Sequence, residues 1–143
     1  LFVGQRTHVS ARYEIAWNGR KENQSSSGII ISTGLGSSGW YRSVMAQASG
    51  IAECFGGMRL SDRGPSWEER VLTFVVREPF PSRRTRADIV YGRLAERDSF
   101  RILSQMPENG VVFSDGMEKD AVEFNAGTEV LIDIAPKRGV LAV

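Results

Sequence analysis

Between Val9 and Trp17 the apolar residues fall on every second position: Val9, Ala11, Tyr13, Ile15 and Trp17 face one way, Ser10, Arg12 and Glu14 the other. A period of two predicts a strand with one face buried. Asn18-Gly19 follows directly. Both central residues of a type I′ turn need positive φ, so this dipeptide predicts a hairpin, with Arg20 to Gln24 returning. Ser25-Ser26-Ser27-Gly28 breaks the return strand, and the β-branched run Ile29-Ile30-Ile31 suits a buried strand. A helix is predicted after Thr33 to Ser37, with Ser37 or Ser38 as N-cap, Trp40, Val44 and Ala48 on one face, and Gly50 as its end. Residues 55–66, rich in Gly, Ser, Asp and Pro, read as a loop.

Further apolar or alternating runs cover Arg70 to Arg77, Ala87 to Leu94, Ser99 to Gln105, Val111 to Ser114, Ala121 to Phe124 and Glu129 to Ile134. Between them lie Pro79 and Pro81, Asn109-Gly110, Asp115-Gly116, Asn125-Ala126-Gly127 and Arg138-Gly139. Short strands at roughly 8–12-residue spacing with turn signals between them predict an antiparallel sandwich or barrel, not βαβ units. The fold class is therefore mainly β, with one short helix after the glycine-serine loop, and residues 1–143 form a single domain.

Eighteen Lys and Arg against seventeen Asp and Glu leave a formal charge of +1, so no global field draws the chain to nucleic acid or lipid. Cys54 is the only cysteine, which excludes an internal disulfide and a cysteine-rich zinc site and fits a reducing compartment. His8 is the only histidine, so no His-His metal motif is present. No apolar run approaches the ~20 residues of a membrane-spanning helix and no secretory leader is visible; a soluble, cytoplasmic protein is expected. The chain begins at Leu1, inside an apparent strand, as expected of a piece of something longer.

The segment from Gly28 to Trp40 runs from a buried strand through a glycine-serine loop into a helix start. Glycines let backbone amides approach a ligand, and the unpaired N–H groups and dipole of a helix start favour an anion such as phosphate. The same letters also describe a turn and a capped helix with no ligand. Gly34, Gly36 and Gly39 satisfy G-x-G-x-x-G, with Glu53 near the ribose-binding distance. That fingerprint belongs to a parallel βαβ unit, and the hairpin before it and short strands after it argue against one.

Ser27-Gly28, Ser32-Thr33 and Gly36-Ser37-Ser38-Gly39-Trp40 together resemble the NAD kinase signature Asp-Gly-Leu-Ile-Val-Ser-Thr-Pro-Thr-Gly-Ser-Thr-Ala-Tyr. Phe113-Ser114-Asp115-Gly116, followed by Phe124 to Val130, resembles that family's Ser-x-Asp-Gly element and its final Gly-Asp-x-Val strand. The resemblance implies the C-terminal domain of an NAD-kinase-like protein: a complex β-sandwich that binds NAD as phosphoryl acceptor and pairs with a second copy. It implies contacts to the dinucleotide from Ser27, Thr33, Gly36, Ser37, Ser38, Gly39, Trp40 and Asp115, with Trp40 offering an aromatic surface where the family has Tyr. Two departures stand out. Ser27 replaces the family's aspartate and removes a negative charge expected near the nicotinamide end, and Gly34-Leu35 replaces Pro-Thr, giving a more mobile loop without the hydroxyl.

ATP and a divalent metal are expected only in a full-length protein, whose N-terminal catalytic domain would be the other partner. The family's Gly-Gly-Asp-Gly motif is missing: the one Gly-Gly, Gly56-Gly57, is followed by Met58-Arg59, and no Walker A pattern is present. No catalytic or metal-binding residue is assigned, and the piece alone is expected to be inactive. Arg83, Arg84 and Arg86 form either a phosphate-holding cluster or a solvated loop, and Asp115 is either a turn-maker or a ligand contact. His8 reads as a satisfied structural histidine and Cys54 as a small buried hydrophobe. Two other functions stay open: a non-catalytic nucleotide-binding or regulatory module, and a related kinase with a lipid or sugar acceptor.

Overall fold

The computed structural model describes residues 1–60, 64–116 and 118–137. Its first half contains β1 (Phe2–Gln5), β2 (Ala11–Trp17), β3 (Arg20–Ser26), β4 (Ile29–Ser32) and the helix α1 (Trp40–Cys54). The second half contains β5 (Leu72–Val76), β6 (Tyr91–Leu94), β7 (Phe100–Ser104), β8 (Gly110–Phe113), β9 (Val122–Glu123) and β10 (Glu129–Ile132). The strands form a six-stranded sheet in the order β6-β5-β4-β1-β8-β9 and a four-stranded sheet in the order β10-β7-β2-β3. Every pairing is antiparallel, from the long β2–β3 hairpin to the β1–β8 and β4–β5 ladders. The fold is thus the mainly β, two-sheet arrangement that the spacing of the strands predicts.

Alternation along the strands sorts the side chains into two layers. Val3, Ile29, Ile31, Phe74 and Val76 from the large sheet meet Ala11, Tyr13, Ile15, Phe100, Ile102 and Ile132 from the small one, forming the core between the sheets. Phe2, Ile30, Val75 and Val111 point the other way and pack with Tyr41, Val44 and Met45 of α1. The triple isoleucine has both faces covered, which is why β4 carries no polar alternation. Asn18 and Gly19, at φ 50° and 70°, form the turn that their identities predict.

Several boundaries differ from the sequence reading. The first hairpin begins at Ala11, leaving Val9 exposed, and its return strand continues through Ser25 and Ser26 before Gly28, at φ 110°, turns the chain. The run Ala87 to Leu94 is a strand only from Tyr91, because the amides of Asp88 and Ile89 donate to the buried Glu22 carboxylate. The helix is not short. It passes through Gly50 and stops where Gly56 takes φ 77°, Gly56 N–H donates to Glu53 O (3.1 Å) and Gly57 N–H donates to Ala52 O (2.8 Å). That pair of bonds is the Schellman closure, so Gly56-Gly57 carries the stop signal.

Neither Ser37 nor Ser38 caps the helix. Both lie in a 3-10 turn over Leu35–Ser38, and Gly39 is the N-cap without a side-chain bond. The buried face of α1 is Tyr41 and Ser49, with Val44 and Met45 half-buried, one position round from the predicted Trp40-Val44-Ala48 face. Cys54 is exposed at the end of the helix, not buried, and His8 is exposed in the β1–β2 connection outside both sheets. The predicted turn at Arg138-Gly139 and residues 61–63 of the predicted loop lie outside the described residues. No helix among the described residues is long and apolar enough to cross a membrane.

Candidate functional site

At the end of β4 the chain leaves the large sheet and bends sharply toward the helix. Ser32 Oγ donates to Thr33 O (2.9 Å), Gly36 N–H donates to Thr33 Oγ1 (3.2 Å), and Ser37 Oγ donates to Gly34 O (2.7 Å). Gly34 has no room for a side chain: a Cβ there would lie 2.2 Å from Ser66 O. The glycine in place of the resembled proline is thus fixed by the approach of residues 65–66, and the loop is held from outside.

Across β1 from this bend, β8 runs into a second turn. Asp115 and Gly116 adopt φ 53° and 73°, and Ser114 Oγ donates to Asp115 Oδ2 (2.8 Å). Asp115 therefore makes the turn while keeping an exposed carboxylate. Phe2, Phe113 and Trp40 lie between the two turns, with Trp40 edge-on to Phe2 at 5.7 Å and to Phe113 at 6.4 Å between ring centroids. Gly28 belongs to this arrangement as well, since a Cβ on it would lie 2.6 Å from the Phe2 ring.

A cleft of ≈ 630 Å³ opens between the two turns. Thr33, Gly36, Gly39 and Trp40 line one side, Ser114, Asp115 and Gly116 the other, with Phe2, Tyr41 and Phe113 among the apolar walls. A half-exposed Trp40 also forms one wall of a neighbouring cleft of ≈ 440 Å³, which contains Ser27. Of the residues picked from sequence, Thr33, Gly36, Gly39, Trp40 and Asp115 thus share the first cleft, and Ser27 lies on the other side of Trp40. Ser37 and Ser38 line neither, Ser37 being bonded within its own turn.

Ser32, Phe113, Ser114 and Gly116 also line the first cleft and stand in the two resembling motifs, whereas other lining residues carry no local sequence signal. Phe2 reads as an ordinary strand apolar and meets Phe113 only through the β1–β8 register, which pairs them directly. Arg6 and Arg77 enter the second cleft from the ends of different strands. Arg83, Arg84 and Arg86 are exposed and line neither cleft; their loop is closed by Ser82 Oγ and Thr85 Oγ1 at 2.8 Å. The G-x-G-x-x-G glycines follow a strand of an antiparallel sheet, and Glu53 lies at the far end of α1, 3.8 Å from Arg59. Among the described residues no three His, Cys, Asp or Glu side chains gather to hold a metal ion.

No family model matches the chain, and no curated protein matches it by sequence. By structure it is similar to an NAD kinase from Archaeoglobus fulgidus, solved in complex with ATP, with a TM-score of 0.57 and 18% identity. The match covers 94% of this chain and 44% of that one, so the chain has the fold of one domain of an NAD kinase and spans less than half of that protein's length.

Proposed function

We propose that the chain is the acceptor-binding C-terminal domain of an ATP-dependent NAD-kinase-like phosphotransferase and that the cleft between the two turns holds the adenosine part of NAD. The observation that carries this is convergence. The glycine-serine segment ending at Trp40 and the Ser114-Asp115-Gly116 turn, separated by more than seventy residues of sequence, line the same cleft. They are also the two segments that resemble the NAD kinase signature. Trp40 supplies the stacking surface, the open backbone at Gly36 and Gly39 allows close approach, and Asp115 offers an acceptor for ribose hydroxyls. A second copy of the chain and an N-terminal domain that brings ATP and the divalent metal complete the enzyme in this reading, in the cytoplasm.

Calorimetry with NAD on the purified chain tests it, using Gly39→Val as the variant. A Cβ at Gly39 meets nothing closer than Gly36 O at 3.6 Å, so the valine projects into free space at the cleft. NAD binding should fall by about tenfold or more, the size expected when a stacking contact is blocked, while the protein stays folded and loses only about 1 kcal/mol of stability from the poorer N-cap. NAD binding equally well to both proteins would sink the assignment. One observation favours a second reading, a relative with a different acceptor: Ser27 stands where the signature has aspartate, so the charge expected at the nicotinamide end is absent.

A further inference from the structure

The fold uses only part of the apolar stripe of α1. Tyr41, Val44 and Met45 pack on the large sheet, but one turn further on Ala48 is exposed and Ile51 is 54% exposed. Beside them runs a groove of ≈ 630 Å³ that shares no lining residue with either cleft. Val44, Ala48 and Ile51 line it from the helix, and Val75, Val90 and Tyr91 from the sheet. Leu60 lines it as well, fixed in place because its N–H donates to the hydroxyl of the buried Ser49 (2.9 Å). Concave apolar surface of this size, with one or two polar groups to set orientation, suits a small molecule. The polar groups here are Gln47 and Glu78. Glu78 has φ 40°, a left-handed conformation uncommon for a residue with a Cβ, and Pro79 follows it, so the chain holds this carboxylate at the groove against local preference. Among the described residues that line the groove Glu78 carries the only charge, and no Lys, Arg or His is there to receive an anion. Arg77 Nη2 stays 3.7 Å from the Glu78 carboxylate, beyond a hydrogen bond, and so half-exposed a pair is weak.

We infer that this groove binds a small apolar amine, with its hydrocarbon part between α1 and the β5–β6 edge of the sheet and its ammonium group against Glu78 and Gln47. The apolar walls remove the hydrocarbon from water, which supplies most of the affinity. The head group is chosen by charge. An ammonium donates to the Glu78 carboxylate and to the Gln47 side-chain oxygen, whereas a carboxylate or phosphate head meets like charge at the same end. This goes beyond the acceptor reading and does not rest on it, because the groove lies apart from both clefts and does not require NAD.

The test is calorimetry on the full chain with octylamine, octanol and octanoate, each below its aggregation concentration, and with butylamine and hexylamine as shorter probes. Octylamine should bind about three- to fivefold tighter than octanol, the size of a half-exposed charge pair, and octanoate more weakly than either. Affinity should rise about three- to fourfold per methylene from butylamine to octylamine. Glu78→Gln should bring the ratio of amine to alcohol toward one with alcohol binding kept. Ala48→Phe fills the groove from an exposed helical position and should weaken all the probes by about tenfold or more. Melting temperatures check that both variants fold, and Glu78→Gln with the chain-length series decides alone should Ala48→Phe not fold. Head groups bound alike, affinity flat along the series, or a ratio unchanged in Glu78→Gln overturns the inference. So does a chain that binds none of the probes; a mass in sedimentation that then falls on Ala48→Phe would give the groove to a second copy instead.

Discussion

Tyr13 shows how one buried polar side chain organises the small sheet. It is fully buried, and its hydroxyl lies 3.0 Å from Gln24 Oε1 and 2.7 Å from Ser26 Oγ, which in turn accepts Gly28 N–H at 2.9 Å. Gln24 Nε2 continues the network to Ile89 O (3.0 Å) and to Glu22, whose carboxylate anchors the connection before β6. Burial pushes the Tyr13 phenol above its ordinary value; Glu22 adds to the rise and the Ser26 hydrogen bond opposes it. The folded state therefore keeps a proton that the unfolded chain releases near pH 10. The stabilisation from this group is complete below that pH and is lost as the pH climbs above it, by up to about 1.4 kcal/mol per unit. Tyr13→Phe should cost about 1–2 kcal/mol at neutral pH by leaving partners unpaired. The gap to wild type should then narrow between about pH 10 and 11 in urea melts, and a gap constant across that range refutes the linkage.

The helix tells the clearest story at the next scale. Gly50 sits in the interior of α1, exposed, with nothing within 4 Å of a Cβ placed on it, whereas Gly56 closes the helix at φ 77°. Gly50→Ala should therefore raise stability by about 0.5–1 kcal/mol, and Gly56→Ala should lower it by about 1 kcal/mol, both read from denaturant midpoints. Opposite signs at two glycines six positions apart on the sequence are the test; like signs would show that helix ends are set elsewhere. A sequence reader sees two glycines and takes the first, because φ is invisible in the letters. The same limit explains the register of the helix face: Trp40 looks like a core anchor, but the sheet below offers its contact at Tyr41. Strand elements were more legible, since alternation at Tyr13 and Ile15 and the Asn18-Gly19 turn are local facts. Half of the site was legible on the same grounds. Thr33, Gly36, Gly39 and Trp40 belong to one contiguous segment, whereas Phe2, Arg6 and Arg77 reach the clefts only through ladders between distant strands.

For the whole molecule, the division of labour follows the layers. The core between the sheets is built from strand residues with Ile89, Met106 and Phe124 of the connections, while the outer face of the large sheet is shared: α1 packs on Ile30 and Val75, and both clefts open beside Phe2 and Phe113. The helix thus packs on the sheet with Tyr41 and lines both clefts with Trp40, its first two residues. Among the described residues, no segment forms a cradle for a phosphoryl donor. Phosphoryl transfer requires a phosphate cradle and metal-organising carboxylates placed in line with the acceptor. Gly56-Gly57, the one glycine pair that could have started such a cradle, has its amides committed to Glu53 O and Ala52 O in the helix closure. Asp115 shares its cleft with one other carboxylate, Asp133, and no three potential metal ligands gather among the described residues. The purified chain incubated with NAD, ATP and Mg²⁺ should therefore form NADP no faster than a protein-free control, even under conditions where calorimetry shows NAD bound. Turnover above that control, lost on Asp115→Asn with NAD affinity retained, would mean that the donor chemistry resides in this domain after all.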